Sequence, residues 1–325
     1  MAPMDFEAQT LRQETAPIRA EIMERLTSFM GSETTRETGI SGLSVYRVTE
    51  PSGPMCGVYE PSLSFILQGS KRLYIGDETL VYDESRFLIT AVGLPTVAQI
   101  QLPSPGEPYF CLVMKLDLKR VRQIIADIDV QPAELPQVDL GMTLGAATLD
   151  LFDALKRLVC LMETPQHIPF LASQIQNEIL YRLLTGEQGM RLRRIALIGT
   201  QSNRVAKAVE WLKQNFAQPL RVEDLADVAS MGVSTLHHHF RAMTAMSPLQ
   251  YQKHLRLNEA RILMLSNDLD AATAALRVGY ESPTQFNREY RRMFGAPPMR
   301  DIKTIRALHQ QPNTQDPETD LSAAG

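Results

Sequence analysis

Residues 222–243 read VEDLADVASMGVSTLHHHFRAM, and residues 270–298 read DAATAALRVGYESPTQFNREYRRMFGAPP. In the first stretch Val222, Leu225, Ala226 and Ala229 fall at i, i+3, i+4 and i+7, the spacing of one buried helix face. Met231-Gly232 supplies a turn, and a second helix follows whose core face is Leu236, Phe240 and Met243. Its other face carries Ser234, His237, His238 and Arg241 at the same offsets, with Thr235 in the first turn. The second stretch repeats this plan. Gly279-Tyr280 is the turn, Ser282 the N-cap, Pro283 the first helical residue, and Gln285 completes a capping box. Gly295 and the prolines at 297 and 298 stop the helix. Its core face is Phe286, Tyr290, Met293 and Phe294, and Thr284, Asn287, Arg288 and Arg291 lie opposite.

A short helix, a tight turn and then a helix with one apolar and one polar-basic face is the arrangement that sets a helix into the major groove of double-stranded DNA. The residue types suit that task. Arginine grips guanine with two hydrogen bonds, asparagine reads adenine, and small hydroxyls reach base edges or phosphates. The expected DNA-binding set is Ser234, Thr235, His237, His238 and Arg241 in the first unit, and Thr284, Gln285, Asn287, Arg288 and Arg291 in the second. One such unit alone could equally be an amphipathic pair with a solvated outer face. Two with matching offsets and basic faces favour DNA. Residues 249–265, LQYQKHLRLNEARILML, form a helical connector with Leu257, Ala260 and Met264 on one stripe. To read one face of the duplex, the two helices must sit roughly 34 Å apart.

Working outward, the N-terminal two thirds has a different texture. Residues 5–30 have helical composition, with Phe6, Leu11, Ile22, Leu26 and Phe29 among charged neighbours. From about 42 to 117, short apolar stretches (LSVYRV, LSFIL, RLYI, TLVYD, RFLIT, YFCLVMKL) alternate with Pro, Gly, Ser and Asp. That is the pattern of many short strands in a small sandwich or barrel, with bends at Gly69 and Gly76. LKRVRQIIADI is a short amphipathic helix, and LDLFDALKRLVCLM and PFLASQIQNEILYRLLTG form an antiparallel pair whose apolar side serves as core or as a dimer seam.

The 325 residues allow two domains, and the 44% hydrophobic fraction is ordinary for a globular protein. No apolar run approaches the roughly 18 residues that span a bilayer, which leaves no membrane partner. The charged N-terminus lacks the apolar middle of a signal peptide, so a cytoplasmic location is expected. The net charge is −4, yet residues 204–302 carry a small excess of Lys and Arg.

The residues 225–248, LADVASMGVSTLHHHFRAMTAMSP, and 275–298, ALRVGYESPTQFNREYRRMFGAPP, resemble the AraC/XylS family of transcriptional regulators over about a hundred residues. The segment 60–90, EPSLSFILQGSKRLYIGDETLVYDESRFLIT, with Leu94-Pro95, is similar to the N-terminal domain in one branch of that family. The resemblance implies an α+β chain of two domains: an N-terminal cupin-like β-barrel with flanking helices and a C-terminal all-α tandem helix-turn-helix domain. The expected layout is 1–40 as N-terminal helix and lead-in, 41–190 as the effector or dimerisation domain, and 191–203 as linker. The DNA-binding domain then occupies 204–302, with helix-turn-helix units at 223–244 and 271–294, and 306–325 form a disordered tail. The resemblance further implies a small-molecule effector in the barrel, a homodimer, contact with RNA polymerase, and activation more than repression.

This sequence departs from the family pattern in places. His238 stands where an arginine is usual, Gly232 where a serine cap is common, and Ala245-Met246 where a glycine and its neighbour often occur. Ala271 and Ala274 replace larger apolar residues. These put the base preference of the first reading helix in doubt.

Rival readings are poorer. A metal-dependent cupin enzyme needs histidines on adjacent strands, and the first histidine of the chain is His167, after the barrel. Neither catalytic residues nor a cofactor are expected. Consecutive residues of the run His237-His238-His239 point about 100° apart on a helix, so they cannot converge on one ion. Cys56, Cys111 and Cys160 lack metal or redox spacing and read mainly as small apolar residues, with electrophile sensing or a purely dimerising N-terminal domain as alternatives.

Replacing Arg288 or Asn287 by Ala is expected to cost about 1–3 kcal/mol at the cognate site and to relax base preference there. Loss of Arg241 or Arg291 should instead weaken binding to all sequences and flatten its salt dependence. Titrations on matched and mismatched duplexes across salt concentrations separate the two; a uniform loss from Arg288→Ala would reverse its assignment.

Overall fold

The computed structural model describes residues 3–50, 53–128, 138–197, 199–267 and 269–310. The chain divides into two units, Met1–Leu255 and Arg256–Gly325. Among the described residues, no helix is long and apolar enough to cross a membrane.

The first unit opens with α1 (Pro3–Met30), followed by β1 (Thr35–Glu37), β2 (Leu43–Val48), β3 (Met55–Tyr59), β4 (Ser62–Gln68) and β5 (Ser70–Ile75). Next come β6 (Glu78–Asp83), β7 (Arg86–Thr90), β8 (Leu94–Gln101), β9 (Tyr109–Lys115), α2 (Leu118–Asp127) and β10 (Met142–Ala146). The strands make a six-stranded sheet in the order β1-β2-β9-β4-β7-β10 and a four-stranded sheet in the order β3-β8-β5-β6. Every ladder is antiparallel. The two sheets share no ladder among the described residues, so the barrel is open. Gly69 and Gly76 take φ of +92° and +58° at the expected bends. Glycine is required at 69, where a Cβ would also lie 2.9 Å from the Gln101 carbonyl oxygen.

The helix α1 belongs to this sheet rather than to a separate lead-in. Ile22 and Leu26 are fully buried, and Arg19 donates to the Leu67 carbonyl of β4 at 2.6 Å. Burial lowers the Arg19 pKa, against the opposing pull of Glu84 and Asp83. Behind α1 packs α3 (Leu149–Cys160), with Ala154, Leu155 and Leu158 fully buried, and α3 packs in turn on α4 (Ile168–Thr185). Most of the apolar side of this pair is therefore core. Phe170 and Tyr181 stay exposed on α4.

The stretch 191–203, expected as a linker, is largely helical instead. It contains most of α5 (Gly189–Ala196) and the start of α6 (Gln201–Asn215). The physical reason is spacing: Leu192, Ile195 and Ala196 are buried at i, i+3 and i+4. Thr200 caps α6 by accepting from the Asn203 amide, and the Asn203 side chain donates back to the Ile195 carbonyl. The unit continues through α7 (Val222–Ala229) and α8 (Val233–Thr244) into α9 (Pro248–Ser266), within which the division between units falls. Gln252 ties the α6–α7 connection by donating to the carbonyls of Phe216 and Gln218.

The second unit holds the rest of α9, α10 (Ala271–Arg277), α11 (Pro283–Phe294) and α12 (Pro298–Gln310). Residues 306–310 of the expected tail are helical, since α12 runs to Gln310; residues 311–325 lie outside the described ones. Asp301 of α12 is the tie of this unit. It accepts two hydrogen bonds from Arg261 of α9, at 2.8 and 2.9 Å, and one from the Tyr290 hydroxyl at 2.8 Å. Burial, followed by the Asp301 hydrogen bond and charge, raises the Tyr290 pKa. Asp301→Ala strands a guanidinium and a phenol together, and should cost about 3 kcal/mol. Urea unfolding of the full chain, followed by hydrogen exchange of the α11 and α12 amides, reads this; wild-type protection would contradict it.

Candidate nucleic-acid interface

Each of the helices α8 and α11 is oriented by what it buries. On α8, Leu236, Phe240 and Met243 are fully buried, and Phe240 packs edge-on against Tyr251, ring centroids 5.5 Å apart. On α11, Phe286 and Tyr290 are fully buried and in contact with each other and with Tyr280 and Phe294. Met293 and Phe294 are only half-buried. The opposite faces are thereby turned to solvent. Ser234, Thr235, His237, His238 and Arg241 are all exposed on α8, and Thr284, Gln285, Asn287, Arg288 and Arg291 on α11. Among the described residues, Arg241, Asn287, Arg288 and Arg291 make no side-chain hydrogen bond or ion pair. An unpaired, solvated guanidinium can meet a phosphate or a guanine without first breaking a bond inside the protein. Arg292, next to Arg291, is exposed as well. Helical spacing placed it off the predicted face, and only its charge could have pointed to it.

The turns depart from the sequence reading in two details. The left-handed residue between α7 and α8 is Ser230, φ +52°, not Met231 or Gly232. The Ser230 and Met231 amides return to the last turn of α7, while Gly232 has an ordinary φ of −69° and serves as an N-cap without a side chain. The capping box on α11 is half made. Ser282 accepts from the Gln285 amide at 3.3 Å, but the Gln285 side chain turns forward and donates to Glu289 instead of accepting from the Ser282 amide. In α10 the small residues Ala274 and Ala275 are fully buried, and Asp270 caps the helix by accepting from Thr273 at 2.7 Å. His239 is half-buried beside His238, and burial together with its neighbour's charge lowers its pKa.

Within the first unit, the barrel meets the end of α8 and the start of α9. The Gly141 amide donates to the Met243 carbonyl at 2.8 Å, and the Tyr251 hydroxyl donates to the Gly93 carbonyl at 2.7 Å. Burial raises the Tyr251 pKa, which keeps it a donor. Lys213 pairs with Glu60 at 2.5 Å, and the Gly76 bend lies against Ala245. All of these contacts lie away from the N-terminal turns of α8, where the expected base-reading residues stand.

Two capped helix-turn-helix units with solvated basic faces, joined to an antiparallel sheet domain, define a DNA-binding transcription regulator. Residues 39–191 match the family model of the AraC-type transcriptional regulator N-terminus, and residues 225–303 match that of a helix-turn-helix domain. The chain belongs to the AraC family of transcriptional regulators. Among curated proteins it is similar to the HTH-type transcriptional activator RhaS of Escherichia coli, 29% identical over 151 residues. That match covers 46% of this chain and 52% of RhaS, so the chain spans about half the length of the curated relatives it matches. Among solved structures, an apo ToxT variant from Vibrio cholerae shares its fold with a TM-score of 0.54 at 12% identity, covering 82% of this chain and 99% of that one. ToxT bound to (E)-4-(8-methylnaphthalen-1-yl)but-3-enoic acid gives 0.53 at 10% identity, covering 84% and 100%.

Ala245, where the family often has glycine, holds the left-handed C-cap of α8 with φ +56°. A Cβ there is strained, so Ala245→Gly should stabilise the protein by about 1 kcal/mol. A raised midpoint in urea is the expected reading, and a lowered one would mean that the Ala245 methyl contributes more by packing than it costs in strain.

Proposed function

We propose that this protein is a sequence-specific regulator that reads the major groove with α8 and α11 and is controlled by a small molecule bound in its N-terminal domain. The observation that carries the DNA reading is the pair of solvated, unpaired faces at matching offsets, Arg241 with His237 and His238 on one helix and Arg288, Arg291 and Asn287 on the other. Arg288 and Asn287 take base-reading roles, and Arg241 and Arg291 hold phosphates. The segment 204–302 acts as the DNA-binding domain.

Control by a ligand is supported by the match of residues 39–191 to the family's N-terminal domain and by the fold shared with ToxT, one structure of which holds an organic acid. Activation, through contact with RNA polymerase, is favoured by the likeness to an activator. A homodimer is the accompanying assembly. Electrophile sensing at Cys111 is disfavoured because the thiol is buried and burial raises its pKa, which suppresses the thiolate.

The test is in vitro selection from random DNA with the full chain. The expected result is an asymmetric site with two short boxes about one helical turn apart. A single box would withdraw sequence reading from α8, whose His238 replaces the family's usual arginine. No enrichment over bulk binding would refute the regulator reading.

A further inference from the structure

The inner faces of the two sheets form a second polar cluster. On β5, Leu73 and Ile75 are fully buried, and Lys71 shares their face because strand residues two apart point the same way. Lys71 stands opposite Tyr82 on β6 and Ile100 on β8. Its ammonium lies 5.1 Å from the Tyr59 ring centroid on β3 and 6.0 Å from that of Tyr109 on β9, which belongs to the facing sheet. Cys111 shares a face with Tyr109, and Tyr46 of β2 lies opposite Cys111. This lysine, hydrogen-bonded to Tyr59 and grouped with Tyr46, Tyr82, Tyr109 and the Cys111 thiol, has no carboxylate partner among the described residues.

Two of the hydroxyls in the cluster are unspent. Tyr82 and Tyr109 are 2% and 0% exposed. Ser64 lies beside the first hydroxyl and the Cys111 thiol beside the second, yet neither phenol has a partner in hydrogen-bonding geometry. A buried donor left without an acceptor is costly, so two of them beside an unneutralised ammonium are a destabilising arrangement unless something else completes it. Burial opposes the charge of Lys71, but Tyr59, Cys111 and Tyr46 outweigh it and raise its pKa above the ordinary lysine value. Burial likewise raises Tyr82 and Tyr109, so all three groups are donors at neutral pH.

We propose that the barrel interior binds a small organic monocarboxylate, its carboxylate paired with Lys71 and accepting hydrogen bonds from Tyr82 and Tyr109. The assignment rests on the reading of this domain as ligand-controlled, and adds the class of ligand. One cation with two neutral donors matches a single carboxylate, whereas a phosphate dianion calls for more positive charge. Leu73, Ile66 and Ala98 on the same inner faces favour a hydrocarbon or aromatic body over a polyol.

The experiment is calorimetry and thermal unfolding of the full chain with matched acids and amides: benzoate and benzamide, phenylacetate and phenylacetamide, octanoate and octanamide, at fixed ionic strength and pH 7.5. At least one acid should raise the melting temperature where its amide does not. Lys71→Gln should weaken that acid about thirtyfold or more, while Lys71→Arg, which keeps the cation, should lose far less. Retained DNA binding by both variants shows that they fold. Equal binding of acid and amide, undiminished binding by Lys71→Gln, or no binding by any acid overturns the proposal. A neutral compound that binds independently of Lys71 and shifts DNA affinity would leave ligand control standing while the carboxylate assignment falls.

Discussion

The proposed DNA-reading geometry depends on burying one face of α8 and one face of α11. Phe240 on α8, and Phe286 and Tyr290 on α11, are wholly enclosed, and each such side chain contributes about 2 kcal/mol by leaving water. Turning either helix by one residue, roughly 100°, would expose those rings and drive an arginine inward without a partner. The core thus selects which side chains remain outside. Tyr290 is held twice, by packing and by its bond to Asp301, and Tyr251 behind Phe240 is held in the same double way by Gly93.

The C-terminal units were legible because their signals are local. Helical spacing placed Leu236, Phe240 and Met243 on one face from residues at most seven apart, and Ser282 and Gly295 announced the ends of α11 in the positions they occupy. What local reading missed was fine chemistry. The Gln285 side chain could have accepted from the Ser282 amide, but its amide nitrogen donates to Glu289 instead. The turn after α7 fell on Ser230 because the left-handed conformation is set by where the helix runs out of partners, not by the nearest glycine. The supposed linker hid α5 because its glycines and its Thr-Gln-Ser run masked an apolar stripe of only Leu192, Ile195 and Ala196.

The barrel was legible as strands but not as a site. Apolar stretches marked β2, β4, β5, β6, β7 and β9, whereas β10 follows a helix and pairs with β7, more than fifty residues back, through contacts no local pattern reports. In an alternating strand the polar residues usually face water. Here the outer face of the six-stranded sheet is covered by α1 and its companions, so apolar residues such as Leu112 and Met114 point outward to helices while Tyr109 and Cys111 point inward. That inversion conceals the Lys71 cluster from any reading of strand alternation alone.

The joint between the barrel and the first helix-turn-helix unit has one further property. The barrel meets α8 and α9 through the amide of Gly141, the carbonyl of Gly93 and the bare bend at Gly76. These three positions offer backbone and no side chain, and a Cβ at 76 would sit 2.5 Å from the Ala245 carbonyl oxygen. The joint is therefore blind to the identity of the residues that line the barrel. Substitutions inside can change the barrel interior while the attachment to α8 and α9 stays as it is. The same economy makes the three glycines points where an added side chain acts on the joint itself.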